Sequence, residues 1–255
     1  MKKVRLQDFS WQEIDEMNCE NITILIPWGS TEQQGSHLPL GVDSIVAERI
    51  AVDVAQKTNA LVGPLIPLGY SAWFMEYAGT ITLRLESLIN LARDYYESLL
   101  KHGFRKMLVI NGHGGNSAVL EPLAREWKLR DDTDIAIVDV WKIANNFAKQ
   151  SESLREKEFK HGGEAMTSIV MAIDPPLVNM QRAVAEYLKS TKPGFKRKST
   201  MGAVDFEGIE INVFEKAKRC TDSGIMGDPL NANSESGKWL LDSIEHYVER
   251  VVLSL

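Results

Sequence analysis

Residues 21–67, NITILIPWGSTEQQGSHLPLGVDSIVAERIAVDVAQKTNALVGPLIP, decide the fold. The stretch opens on a β-branched apolar run at 21–27 and crosses a loop rich in glycine and proline. It continues with apolar residues at helical spacing over 43–59, then closes on a second apolar run at 60–67. A short strand that is apolar at successive positions is buried on both faces. Strand, helix and strand in that order form a unit whose two strands run parallel. Outward from this unit, KMLVIN at 106–111 and DIAIVDVW at 134–141 repeat the continuous apolar pattern. Helical spacing returns over 87–102, halted by Gly103, and more weakly after Asn116. The alternation predicts an α/β fold, a mostly parallel central sheet with covering helices.

Beyond these elements the signals are local. Ser10 and Glu13 have capping-box spacing and open a short first helix. Pro122 lies too deep for a helix that begins at Asn116, so a late start or a kink is expected there. A helix is expected from Ile143 to about Phe159, and HGGEAMTSIVMAIDPP reads as loop, helix and proline stop. Residues 186–200, EYLKSTKPGFKRKST, read as a polar surface excursion. The final segment sets Trp239, Leu240, Ile244, Tyr247, Val248 and Val251 on the face of a docking helix.

At 255 residues with 44% hydrophobic content, the chain is long enough for one sizeable core, and residues 1–255 are read as one domain. The net charge of −6 provides no broad basic face for phosphates, which argues against nucleic acid as a partner. Neither a signal-peptide pattern nor an apolar run of membrane-spanning length occurs, so a cytoplasmic protein without a membrane partner is expected. Cys19 and Cys220 lack the spacing of a disulfide framework or a thiolate zinc site and read as ordinary thiols.

In a parallel sheet, ligands bind beyond the carboxyl ends of the strands. The loop after the first strand carries Glu32, His37 and Asp43. The loop after the third is NGHGGN, with His113 among glycines, and HGGE presents His161 and Glu164 at the mouth of a helix. Carboxylates and imidazoles converging from separate loops suit a divalent metal, with ligand distances of about 2.0–2.2 Å and an open position for water. Such an ion lowers the pKa of water to roughly 7 and polarises a carbonyl, which is the chemistry of hydrolysis. Local readings compete with this one. Asp43 also reads as the N-cap of its helix, and Glu164 as a first-turn carboxylate facing the helix dipole. His161 also reads as a loop histidine without special role. The glycines around His113 also suggest a phosphate-cradling turn, although they fit neither GxGxxG nor the Walker spacing.

The segments TEQQGSHLPLGVDSIVAERIA, LVINGHGGN, HGGEAMTS and TDSGIMGDP together resemble the creatininase, or creatinine amidohydrolase, family over nearly the whole chain. The resemblance implies a compact three-layer α/β fold, a two-metal site and a homo-oligomer, often a hexamer. Matched by motif, Glu32 is the first ligand, Asp43 the carboxylate bridging the metals and His113 the NGH-loop ligand. Glu164 matches the glutamate of the HAGE-like motif, a ligand or general base. Two positions depart from the family pattern. Gln34 stands where the second residue of the Glu-x-His pair is usually histidine, and Gly115 where creatininase itself has a glutamate. Gln34 is retained as a candidate oxygen ligand, and the site is expected to hold one or two zinc or manganese ions. Gly115 argues against creatinine itself as substrate.

The expected reaction is metal-assisted hydrolysis of an amide, cyclic amide or formamide C–N bond in a small molecule. Glu32, Asp43 and His113 hold the metal, while Glu164, assisted by His161, moves the proton to the leaving group. His37, Trp73, Tyr77 and Trp141 are candidate substrate contacts, whereas Phe74 reads rather as packing. Rival readings are the hydrolytic C–C opening of an oxidised cyclitol or sugar ring, a metal- or ligand-binding protein without turnover, and a structural scaffold.

Overall fold

The computed structural model describes residues 2–199 and 202–255. In chain order the elements are α1 (Trp11–Asp15), β1 (Thr23–Trp28), α2 (Val42–Lys57), β2 (Ala60–Val62), α3 (Leu85–Lys101), β3 (Lys106–Asn111), α4 (Ser117–Asp131), β4 (Asp134–Asp139), α5 (Val140–Ala148), α6 (Glu164–Ile173), β5 (Phe195–Arg197), β6 (Ala203–Phe206), β7 (Ile209–Asn212), α7 (Ala217–Cys220) and α8 (Ser234–Ser254). Strands β1 to β4 form one parallel sheet in the order β2-β1-β3-β4.

Alternation along each strand divides the core in two. Leu25, Leu108 and Ile110 pack with α2, α5, α6 and α8 on one face. Ile24, Ile26, Met107 and Val109 pack with α3 and α4 on the other. The sheet is therefore the middle of three layers, and its strands are apolar throughout because both faces are covered. The chain leaves β1 towards β2 but leaves β3 towards β4, in the opposite direction. The connections after β1 and β3 thus diverge, opening a crevice beyond their carboxyl ends.

Several local expectations need adjustment. The capping box of Ser10 and Glu13 is present at α1. Helix α4 begins at Ser117 and contains Pro122, so the start is not delayed. Helix α5 ends at Ala148, well short of Phe159. There the Ser151 hydroxyl accepts the Leu154 N–H, and the N–H groups of Arg155 and Glu156 are taken by the Glu164 carboxylate; these bonds compete with a continued helix. The excursion at 186–200 contains β5, which joins β6 and β7 in a three-stranded antiparallel sheet that the polar sequence gave little sign of. On α8 the buried hydrophobic residues are Leu240, Leu241, Ile244, Val248 and Val252. Trp239 and Tyr247 lie at the exposed margins of that face. Among the described residues, no helix is long and apolar enough to cross a membrane.

Candidate metal centre

Three side chains meet at the crevice. Glu32 comes from the loop after β1, Asp43 from the first turn of α2 and His113 from the loop after β3. All three are buried, and one ligand atom from each lies within 4.8 Å of the others. His113 Nδ1 is 3.1 Å from Asp43 Oδ2 and 3.4 Å from Glu32 Oε1. The opposite ring nitrogen, Nε2, donates to the Tyr70 carbonyl at 2.9 Å, which directs Nδ1 at the carboxylates.

The backbone holds this geometry by close approach. A Cβ on Gly112 would lie 2.3 Å from the Asp43 carbonyl oxygen, so the loop after β3 passes against the start of α2 only because residue 112 has no side chain. Asp43 is not the N-cap, a position held by Gly41. Its Oδ2 accepts from the Ser30 hydroxyl at 2.8 Å and its Oδ1 from the Trp141 indole at 3.1 Å. Asn116 ties the two loops together by donating to Gly29 O at 3.0 Å. Of these supporting groups, Gly112 and Asn116 lie in the NGHGGN motif and Trp141 was a candidate for substrate contact. Ser30 and the Tyr70 carbonyl carried no signal of their own.

The electrostatics follow from burial and proximity. Burial disfavours a charged His113, but the two carboxylates, Glu32 foremost, outweigh it and hold its pKa well above the ordinary imidazole range. Burial would likewise raise Glu32, yet the charge on His113 brings it below the usual carboxylate value. Asp43 is raised, chiefly by complete burial, with Glu32 adding repulsion. Two carboxylates and one imidazole therefore share a space shielded from water. Glu32 Oε2 has no hydrogen-bond partner there. A divalent cation suits such a donor set, because it would satisfy the orphaned oxygen and relieve the repulsion between the carboxylates.

The other candidates occupy different places. Gln34 Nε2 donates to Glu32 Oε1 at 3.3 Å, and its buried Oε1 has no partner. Glu164 stands outside the three-residue group: Oε2 accepts from the N–H groups of Arg155 and Glu156 at 2.8 and 2.7 Å, and Oε1 is buried without a partner. His161 lines the cavity in front of the centre, stacked on Phe74 with ring centroids 4.7 Å apart. Its Nε2 lies 3.0 Å from the Gln33 carbonyl oxygen and 3.1 Å from the Gln33 side-chain Nε2. Burial lowers its pKa, making the neutral ring the resting form near neutrality. His37 faces Thr167 at 2.9 Å rather than the cavity, and burial lowers its pKa to about 4.

The cavity occupies about 1090 Å³. Trp73, Phe74 and Trp141 line it, whereas Tyr77 does not; the Tyr77 hydroxyl donates to the Thr221 carbonyl at 2.7 Å behind that wall. Trp141 does more than wall the space, since its indole also orients Asp43, a contact across 98 residues of sequence.

A family model described as Creatininase: Creatinine amidohydrolase matches residues 7–252. The chain is 26% identical to creatinine amidohydrolase of Pseudomonas putida over 199 residues, 72% of this chain and 76% of that protein. It is 27% identical to the 3-dehydro-scyllo-inosose hydrolase of Thermotoga maritima over 98% of this chain and 82% of that one. Its fold matches a solved manganese creatininase with a TM-score of 0.81 at 22% identity, covering 98% of each chain.

Proposed function

The chain belongs to the creatininase family, and we propose that it is a metal-dependent hydrolase cleaving a C–N bond, amide, cyclic amide or formamide, in a small molecule. The observation that carries this reading is the convergence of Glu32, Asp43 and His113 within 4.8 Å, buried and facing a cavity of about 1090 Å³. A zinc or manganese ion held by these three residues supplies Lewis acidity, polarising the scissile carbonyl and lowering the pKa of water.

The protein's own groups then divide the work. Tyr70 O and Trp141 fix the orientation of His113 and Asp43. His161, kept neutral by burial, takes the proton from the attacking water and returns it to the leaving nitrogen. Glu164, bound to two backbone amides, acts by positioning the segment that leads into His161. The stacked Phe74 and the neighbouring Trp73 exclude water from the reacting bond.

The test joins metal analysis to turnover. Purified wild-type protein is expected to carry about one divalent ion per chain, and both Glu32→Ala and His113→Ala to lose it. Against a panel of cyclic amides, formamides, short peptides and oxidised cyclitols, turnover should fall by more than roughly 100-fold in both variants. Near-wild-type turnover in either one would remove the assignment. Hydrolysis of the cyclitols alone would move the reaction to C–C cleavage.

A further inference from the structure

Gln33, which follows Glu32 directly and is buried, ties the loop after β1 to two other segments. Its Oε1 accepts the Gly35 N–H at 2.9 Å, and its Nε2 donates to the Gly224 carbonyl at 3.1 Å. These two bonds fix which way round the amide lies, because turning it over would set Oε1 against a carbonyl and Nε2 against an N–H. Gly224 has a φ of +83°, and a Cβ on it would lie 1.8 Å from Gln33 Oε1. The TDSG turn thus meets this amide only through a residue without a side chain.

So fixed, Gln33 offers His161 Nε2 two groups of opposite kind: its Nε2, a donor, at 3.1 Å, and its own carbonyl oxygen, an acceptor, at 3.0 Å. A neutral imidazole has one N–H and one bare nitrogen, and a buried ring nitrogen left without a partner is costly. Here neither form is left without one. With the proton on Nε2, the Gln33 carbonyl accepts it; with Nε2 bare, the Gln33 amide donates to it. The two forms are isomers, each neutral with a single N–H. The other ring nitrogen, Nδ1, has no hydrogen-bond partner among the described residues, and the ring itself lines the cavity. Nδ1 therefore changes with the tautomer, from an acceptor that meets a water to a donor that meets a substrate oxygen or nitrogen.

We propose that Gln33 is a positioning residue that supports both neutral tautomers of His161, so that Nδ1 faces the substrate either as acceptor or as donor with the ring uncharged and unturned. This role rests on the hydrolase reading, which sets the reacting bond in the cavity. Nitrogen-15 NMR of the histidine rings tests it without turnover. Full-length, zinc-loaded wild type and Gln33→Met are recorded near neutral pH, zinc being diamagnetic. His161→Gln identifies the His161 signals among those of the five histidines.

In wild type the His161 signals should report both tautomers, averaged or as two sets, with neither exceeding the other by more than roughly ten-fold. Gln33→Met removes the donor and leaves the carbonyl, so the form protonated on Nδ1 should fall by roughly five-fold or more. A single tautomer in wild type, or a ring protonated on both nitrogens, overturns the proposal whether or not the variant folds. Populations unmoved by Gln33→Met overturn it too, since a side chain that only packs the loop would leave them alone. The ion count per chain, measured on the same samples, separates such a failure from a failure of the metal centre.

Discussion

Gly115 sits against Tyr70 so closely that a Cβ on it would lie 2.2 Å from the Tyr70 carbonyl oxygen and 2.5 Å from His113 Nε2. These two atoms form the hydrogen bond that orients the imidazole. Gly115→Ala should therefore push them apart, costing about 1–3 kcal/mol by overpacking and lowering ion content. Urea denaturation followed by metal analysis checks this. An alanine variant with unchanged midpoint and full ion content would show that the loop yields freely.

The number of ions bound turns on residue 34. The family's second position is expected to draw on a histidine there, where the chain has glutamine. Gln34→His places an imidazole beside Glu32, whose Oε2 lacks a partner. Ion content should rise from about one per chain towards two. Two ions already present in wild type would contradict this reading of the departures.

Glu186 shows a different use of a carboxylate. It binds the N–H groups of Asp222 and Ser223 and the hydroxyls of Thr221 and Ser223, clamping the TDSG turn. Burial would raise its pKa, but these bonds prevail and bring it down to about 2. Because the folded value lies below the unfolded one near 4.5, the stabilisation is complete above that pH and is lost as pH falls towards 2. Glu186→Gln should melt below wild type at pH 7, by about 1–2 kcal/mol after allowance for solvent screening. The gap should close between pH 4.5 and 2. A gap independent of pH would exclude the ionic clamp.

Glu245 behaves in the opposite sense. Burial on α8 pushes its pKa up to about 7 despite Lys57 at 3.0 Å. A raised folded value means that its stabilisation is present below about 4.5 and lost as pH rises through 7. Relative to wild type, Glu245→Gln should gain stability between pH 5 and pH 8.5, read from thermal melts at the two values. An unchanged difference across that range would show that the group does not titrate there.

The main sheet was legible because its strands are covered on both faces, so burial wrote itself into the sequence as unbroken apolar runs such as ILI at 24–26 and MLVI at 107–110. The antiparallel sheet of β5 to β7 was not. Its strands are three or four residues long, and β7 is exposed at every position, leaving no apolar period to read. The shortened α5 escaped notice for a related reason. Beyond Ala148 the Arg155 and Glu156 amides pair with the Glu164 carboxylate instead of with a helix, and side chain to backbone bonds of that kind leave no periodic trace.

The sequence by itself determined the α/β class, the strand and helix alternation and the loops that carry Glu32, Asp43 and His113, because burial and turn chemistry act on neighbouring residues. Only the tertiary structure decided which candidates share one space. It brought those three together and set Glu164 on backbone amides, His37 on Thr167 and Trp141 on Asp43. It also brought Arg197, from a segment that read as surface, into the cavity wall. Those placements depend on strand order and on contacts spanning tens of residues to well over a hundred, distances at which the spacing of residues along the chain carries no geometric information.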